Sequence, residues 1–168
     1  GRIKKTSLEE FDNVRKSGII AIKLEKGDLL KKVVKTSGED DIMLTTKAGI
    51  AIRFKEKDIR PMGRSAAGVK GIKLKKDDEV VGMDVISKDS AAASDKKSKQ
   101  YLLVVMERGY GKRTETSQYK IQGRGGSGIK TANITPKTGG IVLATILDDS
   151  SDDEDLIVIS QKGQVIRT

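Results

Sequence analysis

Asp41-Ile42-Met43-Leu44-Thr45-Thr46-Lys47-Ala48-Gly49-Ile50-Ala51-Ile52-Arg53-Phe54 reads as two short strands joined by a turn on glycine. Apolar and β-branched residues fill both arms, and the only turn former sits between them. The same hairpin returns along the chain. Gly1-Arg-Ile-Lys-Lys-Thr6, Gly49-Ile-Ala-Ile-Arg-Phe54, Gly109-Tyr-Gly-Lys-Arg-Thr114 and Gly163-Gln-Val-Ile-Arg-Thr168 align on their glycines, at intervals of 48, 60 and 54 residues. The fourth residue after each glycine is a cation: Lys5, Arg53, Arg113 and Arg167. Seven to five residues before the glycine stand three apolar residues, as in Ile42–Leu44, Leu102–Val104 and Leu156–Val158. A period of this size predicts a ring or array of small β units, with a cation repeated on each.

Two further elements recur in the same order. Gly18-Ile19-Ile20-Ala21-Ile22-Lys23-Leu24 matches Gly68-Val69-Lys70-Gly71-Ile72-Lys73-Leu74, and more loosely Gly128-Ile129-Lys130-Thr131. Gly27-Asp28-Leu29-Leu30 returns near Asp78-Glu79-Val80-Val81 and Gly139-Gly140-Ile141-Val142. The long interval contains Ser87–Lys99, a Ser, Lys, Asp and Ala stretch that reads as a mobile loop inserted between two strands.

Composition narrows the function. The 168 residues contain 33 Lys and Arg against 24 Asp and Glu, a formal charge of +9. A balance this basic fits a polyanion binder, or else a surface solvated by both signs. Six of the carboxylates fall in one run, Asp148–Asp155, so the rest of the chain is more basic than its average. That run reads as a solubilising loop, or as a competitor of a bound polyanion for basic surface. There is no His and no Cys. Ser–His and Cys–His catalysis, imidazole bases and the usual zinc sites are therefore excluded. The acidic run lacks the ligand spacing of a calcium loop. We expect no catalytic residue, no metal site and no small-molecule substrate. No apolar run is long enough for a membrane span, and the lack of cysteine fits a cytosolic protein.

The remaining feature is Tyr119-Lys120-Ile121-Gln122-Gly123-Arg124-Gly125-Gly126-Ser127-Gly128-Ile129-Lys130. Four glycines in six residues make a turn that either offers N–H groups to a ligand or joins two blades through positive φ. No Gly-Lys-Ser/Thr follows, so no P-loop is implied. Together with Gly109–Thr114, Asp41–Phe54 and Arg60-Pro-Met-Gly-Arg-Ser-Ala-Ala-Gly68, this segment resembles the C-terminal domain of bacterial DNA gyrase A. That family carries a box of the form Gln-Arg-Arg-Gly-Gly-Lys-Gly. This chain keeps Gln122, Arg124, Gly125, Gly126 and Gly128, but has Gly123 and Ser127 at the other two cationic positions, which marks a secondary box in a later blade.

The resemblance covers the whole chain and implies an all-β, propeller-like β-pinwheel. Residues 1–168 would form one domain fragment of about three repeats, half of a six-bladed ring of four-stranded blades. It implies a domain that bends duplex DNA around a basic perimeter without base readout, inside an enzyme that introduces negative supercoils. ATP and Mg would act through other domains, and the partners would be the remainder of gyrase A together with gyrase B. The compartment would be the bacterial cytoplasm, at the nucleoid. The DNA-contacting residues would be Lys4, Lys5, Arg53, Arg60, Arg64, Lys112, Arg113 and Arg167, with Gln122, Arg124, Gly125, Gly126, Gly128 and Lys130 from the box. Two other readings stay open: the equivalent domain of topoisomerase IV, and a propeller used for protein–protein contact.

Overall fold

The computed structural model describes residues 1–87, 99–149 and 157–167. Most of the expected 87–99 loop and most of the acidic run thus lie outside the described residues. Eleven strands occur among the described residues: β1 (Arg2–Ile3), β2 (Asp41–Thr46), β3 (Ile50–Lys55), β4 (Val69–Lys70), β5 (Val80–Ile86), β6 (Gln100–Met106), β7 (Gly111–Glu115), β8 (Ile129–Lys130), β9 (Ile141–Asp148), β10 (Ile157–Ile159) and β11 (Val165–Arg167). The only helical segments described are single 3-10 turns, such as Glu56–Asp58 and Thr116–Gln118.

The strands form four antiparallel units. The complete one has the order β5-β2-β3-β8, a third has β7-β6-β9, and β1-β4 and β10-β11 are two-stranded. The connectivity exchanges strands between neighbours. The chain leaves the hairpin β2–β3, places β4 against β1 of the preceding unit, and only then returns with β5 to pair with β2. One repeat later it leaves β6–β7, places β8 against β3, and returns with β9 to pair with β6. In both returning pairs the register slips near the turn, between Thr45 and Thr46 and between Val105 and Met106. Such slips twist the inner edge of a blade.

Packing follows from the two faces of β2, whose six residues are all buried. Successive side chains point to opposite faces of a strand. Ile42 and Leu44 join Ile3, Ile52, Phe54, Ile59 and Ile72 in one core, while Met43 joins Ala51, Leu102, Val104, Ile141 and Ala144 in the other. The central blade is covered on both faces, and so its strands read as apolar runs rather than an apolar–polar alternation. No helix in the described residues is long and apolar enough to cross a membrane.

Candidate nucleic-acid interface

Two loops, 60–68 and 120–128, lie 60 residues apart in sequence and make the same bonds. Pro61 bridges to Lys5 and Ile121 to Arg53, each in parallel. Met62 N donates to Lys5 O at 2.9 Å, and Gln122 N to Arg53 O at 2.8 Å. Lys23 N donates to Ala66 O (3.3 Å), and Lys73 N to Gly126 O (2.9 Å). Arg64 Nη1 reaches Ile20 O (3.3 Å), as Arg124 Nη1 reaches Lys70 O (2.6 Å). Arg124 also donates from Nε to Asp58 O at 3.1 Å. The box is one instance of a blade-to-blade connector.

The glycines of that connector are spent on the protein itself. Gly128 has φ +69°, and a Cβ there would stand 2.6 Å from Ala51 O; Gly68, with φ +81°, would stand 2.5 Å from Ile3 O. Each allows the short strand that follows it to lie against the neighbouring hairpin. Gly125 N donates to Gly71 O (2.8 Å) and Gly126 N to Gly123 O (3.3 Å). Of the two roles a glycine-rich turn could play, the structure shows the connecting one.

The cations fall into anchored and exposed sets. Lys4 is half-buried and donates from Nζ to Ala21 O at 2.8 Å and to Arg64 O. Burial pushes its pKa down, against the pull of Glu10. Lys112, its counterpart before Arg113, is exposed and reaches Thr131 O (3.1 Å). Lys5 Nζ lies 3.4 Å from Oε1 of the buried Glu56. That carboxylate also accepts from Thr36 Oγ1 (2.7 Å) and Gly38 N (2.9 Å). The Arg60 side chain is exposed and makes no hydrogen bond or ion pair among the described residues, Lys130 is exposed with Nζ on Asn133 Oδ1 (2.7 Å), and Arg167 is exposed on β11.

Arg53 and Arg113 hold the same register position in their hairpins, opposite Met43 and Leu103. Their surroundings differ. Arg53 Nε and Nη2 bind Asp41 Oδ2 at 2.9 and 2.7 Å, and Nη1 binds Thr116 O at 2.9 Å. Its side chain is 18% exposed and that of Asp41 1%. Tyr101 occupies the position of Asp41 in the next hairpin. Arg113 lies 4.4 Å from the Tyr101 ring centroid and is 57% exposed. A guanidinium on an aromatic face keeps its charge available to an anion. Asp149 Oδ1 lies 4.0 Å from Arg113 Nη1, an ion pair with both side chains about half exposed. The repeated cations are thus one structural clamp and one outward charge, not four copies of a single contact.

The profile of the family described as DNA gyrase C-terminal domain, beta-propeller, matches residues 1–37, 40–87, 100–147 and 154–168. The chain belongs to this family. It is similar to DNA gyrase A of Staphylococcus epidermidis, 45% identical over 167 residues, which are 99% of this chain and 18% of that protein. Against DNA gyrase A of Staphylococcus aureus the identity is 42% over the same share of each. The chain therefore spans less than a fifth of the curated relatives it matches. Among solved structures, the gyrase A C-terminal domain superposes with a TM-score of 0.75 at 29% identity, over 99% of this chain and 52% of that one. The C-terminal domain of DNA topoisomerase IV superposes with a TM-score of 0.85 at 24% identity, over all of this chain and 49% of that one. That second likeness is one of fold.

Within this gyrase C-terminal domain, two cations escape a reading by motif. Lys120 is the counterpart of Arg60 and Lys70 that of Lys130, and both are exposed. The 60-residue offset alone identifies them. Among the described residues, no group of three or more His, Cys, Asp or Glu is arranged to hold a metal ion.

Proposed function

We propose that this domain binds duplex DNA along its repeated cations and bends it, serving as the wrapping element of gyrase A. The observation that carries this reading is the recurrence of outward cations on equivalent elements: Arg60 with Lys120, Lys70 with Lys130, and Arg113 held on Tyr101. Charges spaced by blade repeats meet phosphates on a curved path and read no bases. Bending a site of 20–30 base pairs costs on the order of 1–6 kcal/mol, which several such contacts offset. Arg64, Arg124, Lys4 and Lys5 shape the surface from half-buried positions, and Gln122, Gly125, Gly126 and Gly128 fix the connector. In the longer protein, the domain would present DNA for supercoiling by an enzyme that uses ATP and Mg elsewhere. Its partners would be the rest of gyrase A together with gyrase B, in the bacterial cytoplasm at the nucleoid.

The test is a salt titration of binding to a linear duplex with no chosen sequence. Affinity should fall steeply with salt, and Arg60→Ala with Arg113→Ala should shallow the slope by about one charge each. A weak isotherm with a flat salt response, unchanged by these substitutions, would overturn the reading and leave protein–protein contact as the role.

A further inference from the structure

Both ends of each connector carry a cation beside an apolar residue: Arg60-Pro61 and Val69-Lys70 in the first, Lys120-Ile121 and Ile129-Lys130 in the second. The two ends meet on one strand edge. Ile129 stands opposite Ala51 of β3 and Ile121 opposite Arg53. In the same way Val69 stands opposite Ile3 of β1, and Pro61 opposite Lys5. Ala51 and Arg53 share a face of β3, so the isoleucines paired with them lie about 7 Å apart along its edge.

These apolar residues are not spent on the core. Ala51 is buried in one cluster with Leu102, Val104 and Ile141 of the next unit, yet Ile129 is 38% exposed and Ile121 47%. In the first connector Pro61 is exposed and Val69 half-buried, although the second connector lies against it. Arg124 makes that contact at both ends, donating to Asp58 O (3.1 Å) and to Lys70 O (2.6 Å). Single exposed apolar residues are ordinary on a protein surface. What distinguishes these is recurrence at equivalent places, in series from one blade to the next, each with a cation beside it.

A surface of this kind fits a polymer in which charge and apolar groups alternate. Each strand of a duplex presents the C–H faces of its deoxyribose rings between successive phosphates, and contacts to either carry no sequence information directly. We infer that Pro61, Val69, Ile121 and Ile129 make the apolar part of the DNA interface, closing on deoxyribose edges while Arg60, Lys70, Lys120 and Lys130 hold phosphates beside them. This rests on the DNA-binding reading above and adds to it a component that salt does not screen. Cations that neutralise phosphates release counterions, and so set how steeply affinity falls with salt. Burial of apolar surface releases none, and shifts the affinity alike at every salt concentration.

The test compares three paired variants in salt titrations of binding to linear duplexes of several sequences. Ile121→Ala with Ile129→Ala should weaken binding about tenfold at each salt concentration, with the slope of log affinity against log salt kept at the parent's value. Lys120→Ala with Lys130→Ala should shallow that slope by about two charges. Ile121→Leu with Ile129→Leu keeps the apolar surface and should bind as the parent does. An alanine pair that binds as tightly as the parent overturns the inference, and the DNA-binding reading survives on its cations alone. An equal loss in the leucine and alanine pairs also overturns it, because the effect then belongs to the seating of β8 on β3. A loss confined to particular duplex sequences overturns the deoxyribose assignment in favour of a base edge. A flat, weak isotherm from the parent itself sinks the DNA-binding reading and this inference with it.

Discussion

A Cβ added to Gly82 would stand 2.7 Å from the Cβ of Ala144 and 2.9 Å from its carbonyl oxygen. These two residues bring the inner strands β5 and β9 of neighbouring blades together. Two residues on, Asp84 Oδ2 accepts from Thr145 Oγ1 and from Ile146 N, both at 2.8 Å. The seam has no room for a side chain at Gly82. Gly82→Val should therefore force the blades apart and cost about 1–3 kcal/mol, read as a lower urea midpoint.

Asp84 should matter for a different reason. Asp84→Ala leaves the Ile146 amide without its acceptor across the seam, at a cost of about 1–3 kcal/mol. Asp84→Asn keeps an acceptor and should lose less. Equal losses in the two variants would show that the bond to Ile146 is not what the carboxylate contributes.

Arg53 and Arg113 should separate stability from DNA affinity. Arg53→Ala strands the buried Asp41 carboxylate, whose Oδ1 already lacks a partner. A loss of about 3–5 kcal/mol in stability is expected. Arg113→Ala should change stability by no more than about 0.5 kcal/mol and act instead on the salt dependence of duplex binding. Reversed outcomes would assign the outward role to Arg53.

Gly128→Ala tests the connector. The positive φ and the 2.6 Å approach to Ala51 O act together. Strain of about 1–3 kcal/mol is expected, with faster hydrogen exchange at the β3–β8 pair than at β2–β3.

Glu107 gives the domain an acid-sensitive contact. A hydrogen bond from Gly140 N, at 3.1 Å, holds its pKa below the ordinary carboxylate value, with Lys47 adding to the shift. A group whose folded pKa is depressed contributes stability above its unfolded pKa and loses it as pH falls through the folded one. Glu107→Gln keeps an acceptor for Gly140 and removes the titration. The variant's urea midpoint should vary less with pH than the parent's below about pH 4.

Much of this was legible because the repeat was. Matching glycines placed the hairpins, and the apolar triplets before them became the buried strands β2 and β6. The crossing strands β4 and β8 were visible as elements, but their partners were not, since a two-residue strand has no periodicity that names a neighbour. The cations were legible as positions and not as roles. What turns Arg53 inward is Asp41, and what keeps Arg113 outward is Tyr101, each twelve residues earlier. Reading the two hairpins one above the other would have shown that exchange of acid for aromatic. The box glycines were likewise legible as a turn and not as a role, because positive φ serves a close strand approach as well as it serves a phosphate.

The exchanged strands also separate chain continuity from physical connection. A single cut anywhere between Ile86 and Gln100 divides the sequence into two pieces, yet β8 of the second piece still lies along β3 of the first, and Asp84 still holds Thr145 and Ile146 across the seam. Such a molecule would migrate as one body until denatured. Proteolysis of this domain is therefore a poor measure of its integrity, and a clipped preparation would keep its surface.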